Sequence, residues 1–178
     1  MRRTLIVVVV VAALAALFAF GLRPSDPRAV EGRIGRLMPD FEAPVLPRYV
    51  EEYGPVLRLS DYLNRGMPVV VNVWASWCIP ACWNEAPRWK EAWERYQGRA
   101  VIIGLNFQDG TEDAQTFVER FDKRFPSVSD PKGLIGIDWG VFGVPETYFL
   151  RPDGTLYYKH SGEISSEAIE QNIEALLR

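Results

Sequence analysis

The chain reads Val69-Val-Val-Asn-Val-Trp74-Ala-Ser-Trp77-Cys78-Ile-Pro-Ala-Cys82 where a predicted strand is followed by a predicted helix. Apart from Asn72, the run from 69 to 74 is apolar and mostly β-branched, as is typical of a strand at the centre of a sheet. Both cysteines of the 178-residue chain lie directly after this run. We therefore expect the chemistry of the protein at the end of a central strand.

A helix from Ala81 to Gln97 is predicted after the cysteines, and Gly98 ends it. Apolar side chains recur along it at steps of three and four residues. They form one stripe, which we expect to pack into the core: Trp83, Ala86, Trp89 and Trp93.

The remaining pattern predicts an α/β fold in which a mixed β-sheet carries helices on both faces. Further elements are expected as strands at 56–59 and 101–105, a helix at 111–121 capped by Asp109 or Thr111, a hairpin of strands at 147–150 and 156–159, and a terminal helix at 165–177. The globular domain should cover 36–178, after a spacer at 23–35.

Size and charge exclude some classes of function. A chain of 178 residues suits one domain with additions. Its 20 lysines and arginines are outnumbered by 23 acidic residues and interleaved with them, for a formal net charge of -3. Nucleic-acid-binding proteins usually present a clustered basic face, so we expect no nucleic-acid partner.

The N-terminus predicts a membrane segment. Arg2 and Arg3 precede an uncharged apolar run at 4–22, which as a helix can span about 30 Å of hydrocarbon. A cleavable signal peptide is the alternative, but its apolar core usually has about 7 to 15 residues, and the end of this run lacks a good cleavage site. We predict a single-pass anchor at 1–22 with the rest of the chain on the extracytoplasmic, periplasmic side, because positive residues stay in the cytoplasm.

The positions of the two cysteines predict their roles. Pro80 suits the first turn of a helix and disfavours helical geometry at Ile79, which places Cys78 at the helix entrance. Unpaired N–H groups and the helix dipole favour a thiolate there, lowering the pKa of a free cysteine from about 8.5 toward neutrality. We expect Cys78 to attack a disulfide and Cys82, one turn further along, to resolve the mixed disulfide.

A static disulfide that only stabilises the fold is the alternative explanation for the pair. Such bonds are common in exported proteins. A crosslink across so short a loop, however, removes little chain entropy and would add little stability. The location of the pair therefore favours redox chemistry.

Several motifs together resemble one family. Trp74-Ala-Ser-Trp77-Cys78 followed by Cys82-x-x-Glu85-x-Pro87 is similar to the extracytoplasmic thioredoxin-like proteins of the TlpA, ResA and DsbE (CcmG) group. Three further stretches resemble the cytochrome-c-maturation branch of this group: Ile34 to Phe41, Asp130 to Thr147, and Tyr158 to Gly162. The most specific is Val144-Pro-Glu-Thr147. The resemblance implies a thioredoxin-like fold and thiol:disulfide interchange.

The resemblance also implies how residues around the cysteines are arranged. Pro145 would be cis and face the cysteine pair, and the Val144 backbone would receive an extended substrate segment. Trp77 would shelter Cys78, and Pro87 would kink the helix by removing a hydrogen bond.

Two acidic residues would complete this site. By the resemblance, Glu85 and Glu146 lie near the cysteines, where a carboxylate can shift a thiol pKa or relay a proton. Either could instead be a solvated surface acid.

One feature departs from the family: the cysteine spacing is C-x-x-x-C instead of C-x-x-C. In an ideal helix, Cα atoms four residues apart are separated by about 6.2 Å, inside the disulfide window of roughly 4.4 to 6.8 Å. The Cβ atoms of helical neighbours lie about 5 to 6 Å apart, however, and a disulfide needs about 3.5 to 4.5 Å. Cys78 must therefore leave helical geometry, and we predict that the Cys78–Cys82 disulfide still forms with a widened helix entrance.

The same spacing also resembles that of copper chaperones of the Sco type, which add a distal histidine. His160 is the only histidine of this chain. In the Sco family, however, the histidine stands roughly where this chain has Val144-Pro145. We expect no metal and keep copper binding as the alternative function.

The expected activity needs no cofactor other than the redox-active disulfide. By the resemblance, the reduced pair would reduce the C-x-x-C-H disulfide of apocytochrome c, or of another exported substrate, during cytochrome c maturation. A membrane thiol-reductant transporter of the CcdA or DsbD type would then re-reduce the protein. A general disulfide reductase or an oxidase would use the same two cysteines, so the residues alone leave the direction of the reaction open.

Overall fold

The computed structural model describes residues 33–178, together with Val11. The span Arg33–Arg178 forms one compact unit, which contains the predicted domain at 36–178. No helix within the described residues is both long enough and apolar enough to cross a membrane. The predicted anchor at 1–22, apart from Val11, and nearly all of the predicted spacer lie outside the described residues.

Strands and helices alternate along this unit. The strands are β1 Glu42–Pro44, β2 Val56–Arg58, β3 Val69–Trp74, β4 Val101–Phe107, β5 Ser127–Asp130, β6 Glu146–Leu150 and β7 Leu156–Ser161. The α-helices are α1 Val50–Tyr53, α2 Ala81–Tyr96, α3 Thr111–Arg120, α4 Leu134–Trp139 and α5 Ser166–Leu176, with short 3-10 helices at Pro47–Tyr49 and Leu59–Asp61.

The central sheet has five strands in the order β5-β4-β3-β6-β7, and β1 and β2 form a separate antiparallel pair. β3 is parallel to β4 and antiparallel to β6, so the sheet is mixed, as predicted. All six residues of β3 are buried. This explains why β3 is apolar throughout except at Asn72 and shows no alternating pattern.

Apolar clusters cover both faces of the sheet. On one face, α2 and α5 pack on the sheet through Trp89, Ile169 and Ile173. On the other face, α3, α4 and the β1–β2 pair form the larger cluster. The predicted helical stripe of α2 contacts both clusters, since Ala86 and Trp83 join the larger one and Trp89 and Trp93 the other. The predicted helices on both faces are confirmed.

The structure differs from the prediction in a few elements. The strands β1 and β5 and the helices α1 and α4 were not predicted, because they are short and β5 consists mostly of polar residues. The predicted cap of α3 is wrong: Gly110 takes the N-cap position, and the Asp109 carboxylate binds Ser76 and Asn106 instead. Pro80 is the N-cap of α2 and lies just before the first helical turn in which it was predicted.

Candidate active site

The cysteine pair lies between β3 and α2. Cys78 and Cys82 form a disulfide with a Cα–Cα distance of 5.4 Å, shorter than the roughly 6.2 Å of an ideal helix. Cys78 lies outside the helix, which begins at Ala81, and its carbonyl oxygen accepts a hydrogen bond of 3.1 Å from the Cys82 backbone N–H. The extra residue of the C-x-x-x-C spacing is therefore accommodated before the helix begins.

The two sulfur-bearing residues differ in exposure. Cys78 is 7% exposed and Cys82 is 1% exposed. The neighbours of Cys78 are far more open: Trp77 is 54% exposed and Ile79 is 67% exposed. The Trp77 indole N–H donates to the Gln108 carbonyl at 3.0 Å, and its predicted sheltering of Cys78 stays a prediction. Pro87 lies inside α2, and its predicted kink likewise stays a prediction.

A network around Asp109 fixes the loop before Cys78. The Asp109 carboxylate accepts hydrogen bonds from the Ser76 N–H at 2.6 Å and hydroxyl at 2.8 Å, and from the Asn106 side-chain amide at 2.8 Å. The Gly110 N–H adds a fourth at 2.9 Å. Sequence reasoning missed this role, although polar residues directly after a buried parallel strand were a usable signal, since such strand ends meet at one edge of the sheet.

The loop before β6 lies at the same edge. Glu146 pairs with Val73 in the sheet, which puts the preceding Pro145 beside the end of β3 and hence near the cysteine loop. The Val144–Pro145 peptide bond is cis, so that prediction is confirmed. The Ile79–Pro80 bond is also cis, which was not predicted. Val144 itself is half-buried.

Glu85 is buried beneath this edge, one helical turn after Cys82. Its carboxylate accepts hydrogen bonds from the Asn72 side-chain amide at 2.8 Å, the Trp89 indole at 3.2 Å and the Ile164 N–H at 3.4 Å. Burial raises the pKa of Glu85 to about 6, although these donors and Lys123 act in the opposite direction. The alternative that Glu85 is a surface acid is wrong.

Lys123 is a buried cation that sequence reasoning missed. Its ammonium lies 4.3 Å from the centre of the Trp74 ring and 4.6 Å from that of Phe125. It donates one hydrogen bond, of 3.3 Å, to the Asn72 side-chain oxygen. Burial lowers the pKa of Lys123 to about 7, and the nearby Glu85 partly offsets this. A single lysine in a loop gives no sequence signal for such burial.

Glu146 is also buried, but it has a direct cationic partner. Lys159 contacts the Glu146 carboxylate at 2.8 Å, with side-chain exposures of 2% and 4%. The Tyr148 hydroxyl donates to Glu146 at 3.0 Å, and the Lys159 ammonium donates to the Gly140 carbonyl at 2.9 Å. Burial, reinforced by Glu146, raises the pKa of Tyr148. The surface alternative is wrong for Glu146 too.

The structure does not favour the copper alternative. His160 lies on β7 opposite Thr147, and its Nε2 atom is 3.2 Å from the Glu163 carbonyl oxygen. From residue 33 onward, no group of three or more His, Cys, Asp or Glu side chains is arranged to hold a metal ion. His160 therefore does not complete a ligand set with Cys78 and Cys82.

Two sulfur atoms at the end of a central strand can exchange electrons with another dithiol by forming and breaking S–S bonds, without a further reactive group. The fold and the site therefore define a thioredoxin-like protein of the thiol:disulfide oxidoreductase class.

Comparisons with known proteins agree with this class. The model of the AhpC/TSA family matches residues 34–159. The thiol:disulfide interchange protein DsbE of Allochromatium vinosum is 32% identical over 99% of this chain and 93% of its own length. The thiol:disulfide interchange protein CycY of Rhizobium leguminosarum is 35% identical over an aligned segment that covers 65% of this chain and 61% of that relative.

A solved structure is similar as well. A crystal structure from Chlorobium tepidum, described as a DsbE-type thiol:disulfide interchange protein, superposes with a TM-score of 0.71 at 29% identity, covering 82% of this chain and 98% of that one. The chain belongs to the AhpC/TSA family and is a thiol:disulfide oxidoreductase related to the DsbE proteins.

Proposed function

We propose that this protein reduces the disulfide of apocytochrome c during cytochrome c maturation. The observation that carries the proposal is the cysteine pair after β3, with Pro145 preceding Glu146, which pairs with Val73 at the same end of that strand. The likeness of Val144-Pro-Glu-Thr147 and its surroundings to the cytochrome-c-maturation branch supports this substrate. In this proposal, the Val144 backbone binds an extended substrate segment that contains the disulfide.

The reaction takes two exchange steps. The Cys78 thiolate attacks one sulfur of the substrate disulfide, and the second substrate sulfur leaves as a thiolate. The Cys82 thiolate then attacks Cys78 and releases the first substrate sulfur. The substrate gains two electrons and becomes a dithiol, and the protein loses two and becomes the Cys78–Cys82 disulfide. Cys78 is the attacking residue because it is the more exposed of the two.

Glu85 is suited to exchange the proton of Cys82. The two residues are three positions apart on α2, so they lie on the same face of the helix. With a pKa of about 6, the carboxyl can both accept and release a proton near neutral pH. Glu146, on β6, forms an ion pair with Lys159. Its carboxylate also accepts a hydrogen bond of 3.4 Å from the Phe142 N–H, which keeps the loop before β6 in place.

The cellular setting of this proposal is extracytoplasmic. An N-terminal segment at 1–22 anchors the protein in the membrane with the catalytic domain on the periplasmic side, as the apolar run after Arg2 and Arg3 suggests. A membrane thiol-reductant transporter of the CcdA or DsbD type returns two electrons to the cysteine pair. Another exported protein that contains a disulfide would be reduced by the same two exchange steps.

A trapping experiment tests the substrate. Cys82→Ser should stop the reaction at the mixed disulfide, because no resolving thiolate remains. We expect the full-length reduced variant to capture apocytochrome c in cells, and an oxidised C-x-x-C-H peptide in solution, as adducts visible in non-reducing mass spectrometry. The matched control, Cys78→Ser, should capture neither. Capture of only non-cytochrome proteins would contradict the maturation role.

A further inference from the structure

Lys123 is a buried amine that takes no part in the two exchange steps. Its backbone is fixed on both sides, since its N–H donates to the Val118 carbonyl at 3.0 Å and its carbonyl accepts from the Tyr49 hydroxyl at 2.8 Å. The ammonium lies against the rings of Trp74 and Phe125. Lysine is almost never fully buried without a charged partner, so the position of its partner matters.

Asn72 links this ammonium to the redox site. Its side-chain oxygen accepts from Lys123 at 3.3 Å, and its side-chain nitrogen donates to Glu85 at 2.8 Å. The amide therefore turns its negative end toward the cation and its positive end toward the carboxylate, which favours both charges at once. Because Asn72 lies inside the fully buried strand β3, water does not screen the interaction as it would at the surface.

Other charged groups near Glu85 lie on the surface. Arg88 forms an ion pair with Glu163 at 2.8 Å and donates to the Ile164 carbonyl at 2.7 Å, with its side chain 31% exposed. Beside Lys123, Asp122 and Arg124 form an exposed ion pair at 2.9 Å. The remaining groups that contact the Glu85 carboxylate are the neutral Trp89 indole and the Ile164 N–H. Lys123 is thus the buried charge that acts on Glu85.

We propose that Lys123 is a positioning residue of the redox site: through Asn72, its ammonium stabilises the carboxylate form of Glu85 beneath Cys82. The charge of a residue in the loop after α3 thereby sets how readily the acid beside the resolving cysteine takes up a proton. This role concerns thiol–disulfide exchange itself. If the proposal for Lys123 is wrong, the proposal that apocytochrome c is the substrate is not affected.

Removal of the cation tests the proposal directly. Lys123→Met keeps the length and the apolar contacts of the side chain and removes its charge. We expect the titration midpoint of Glu85, followed by carboxyl carbon-13 NMR of the full-length oxidised protein and assigned by its loss in Glu85→Gln, to rise from about 6. The expected rise is about one pH unit, the lower end of what a nearby opposite charge produces.

A matched control separates this effect from the loss of any lysine. Lys132 is exposed in the turn after β5, and Lys132→Met should leave the Glu85 midpoint unchanged. The pH profile of the rate at which Cys82 resolves the mixed disulfide with a C-x-x-C-H peptide should move upward in Lys123→Met by the same amount, and Glu85→Gln should remove that inflection. An equal Glu85 midpoint in wild type and Lys123→Met would overturn the proposal.

A second measurement remains decisive if Lys123→Met does not fold. Coupling between two sites is reciprocal, so loss of the Glu85 charge must lower the pKa of Lys123 by as much as loss of Lys123 raises that of Glu85. In the Glu85→Gln variant, NMR of the Lys123 side chain should give a midpoint below the wild-type value of about 7. An unchanged Lys123 midpoint in this variant would contradict the proposal.

Discussion

Two buried acid–lysine pairs flank the cysteine edge of the sheet, and they are built differently. On the β6–β7 side, Glu146 contacts Lys159 directly at 2.8 Å. On the β3–α2 side, Glu85 and Lys123 are separated by the side chain of Asn72. Both pairs bury a positive and a negative group, so the difference between them is the distance between the charges.

The separation of the two charges determines which role each pair is suited to. Burial of a charge is costly unless an opposite charge lies in contact with it. Glu146 and Lys159 meet that condition, and further hydrogen bonds from Tyr148 and to Gly140 satisfy both groups. Glu85 and Lys123 do not, and burial brings the pKa of the acid up to about 6 and that of the amine down to about 7. The contacting pair is suited to hold a loop, and the separated pair to exchange protons.

The largest change in the free energy of unfolding is expected when the contacting pair of Glu146 and Lys159 is broken. Lys159→Met leaves the Glu146 carboxylate buried without its cation, which should lower the free energy of unfolding by about 3 to 5 kcal/mol. Urea unfolding at pH 7 measures the loss. Arg58→Met is the control, because the Arg58–Glu42 pair is about half exposed on both sides, and an exposed pair contributes less than about 1 kcal/mol. Equal losses in the two variants would refute the distinction by burial.

The same change in the separated pair should have the opposite sign. Lys123→Met removes an amine whose pKa burial lowers from 10.5 to about 7. Since one pKa unit corresponds to about 1.4 kcal/mol, the free energy of unfolding at pH 6 should rise by about 1 to 4 kcal/mol, even though Glu85 loses its cation. The folded-state pKa of Lys123, about 7, lies below its ordinary value of 10.5. The unfolded chain therefore binds the extra proton between these values, and the wild type regains stability as pH rises through that window.

Urea unfolding from pH 6 to pH 10 checks this sign. The advantage of Lys123→Met should shrink steadily above pH 7, since the wild-type amine is then already neutral when buried. A stability difference that does not change with pH would show that packing, and not charge, causes it.

The smallest expected effect concerns the supporting hydrogen bonds. Tyr148→Phe removes the donor at 3.0 Å from Glu146 but keeps Lys159 in place. A hydrogen bond to a charged group is worth about 1.5 to 3 kcal/mol, so we expect a loss near the lower end of that range. Combined with Lys159→Met, the losses should not add, because both residues act on the same carboxylate. Additive losses would mean that Tyr148 and Lys159 stabilise the fold independently.

The sequence predicted the elements whose signal is local. β3 carries apolar residues at five of its six positions, and α2 repeats its aromatic residues at helical spacing, so each was located to within about one residue. The place of the cysteines followed from these two elements. The hairpin of β6 and β7 was also predictable, because its turn residues Pro152, Asp153 and Gly154 stand between two short apolar runs.

The rest of the site depends on contacts between distant parts of the chain. Lys123 meets Asn72 across 51 residues, and Asp109 meets Ser76 across 33. Nothing in the neighbours of Lys123 distinguishes it from a surface residue, and the position of Asp109 after a buried strand does not by itself name Ser76 as its partner. β5 was missed for the same reason, since Ser127 is polar and becomes buried only when β5 pairs with β4.

The anchoring of the cysteine loop by Asp109 has a kinetic consequence. The four hydrogen bonds of this carboxylate involve Ser76, Asn106 and Gly110 and no sulfur atom, so opening the disulfide leaves them in place. Cys82 then remains tethered close to Cys78, and well-oriented tethered groups reach effective concentrations of about 10⁵ M or more. Attack by Cys82 should outcompete any free thiol in solution, so a mixed disulfide at Cys78 should be resolved within the protein before another thiol can intercept it.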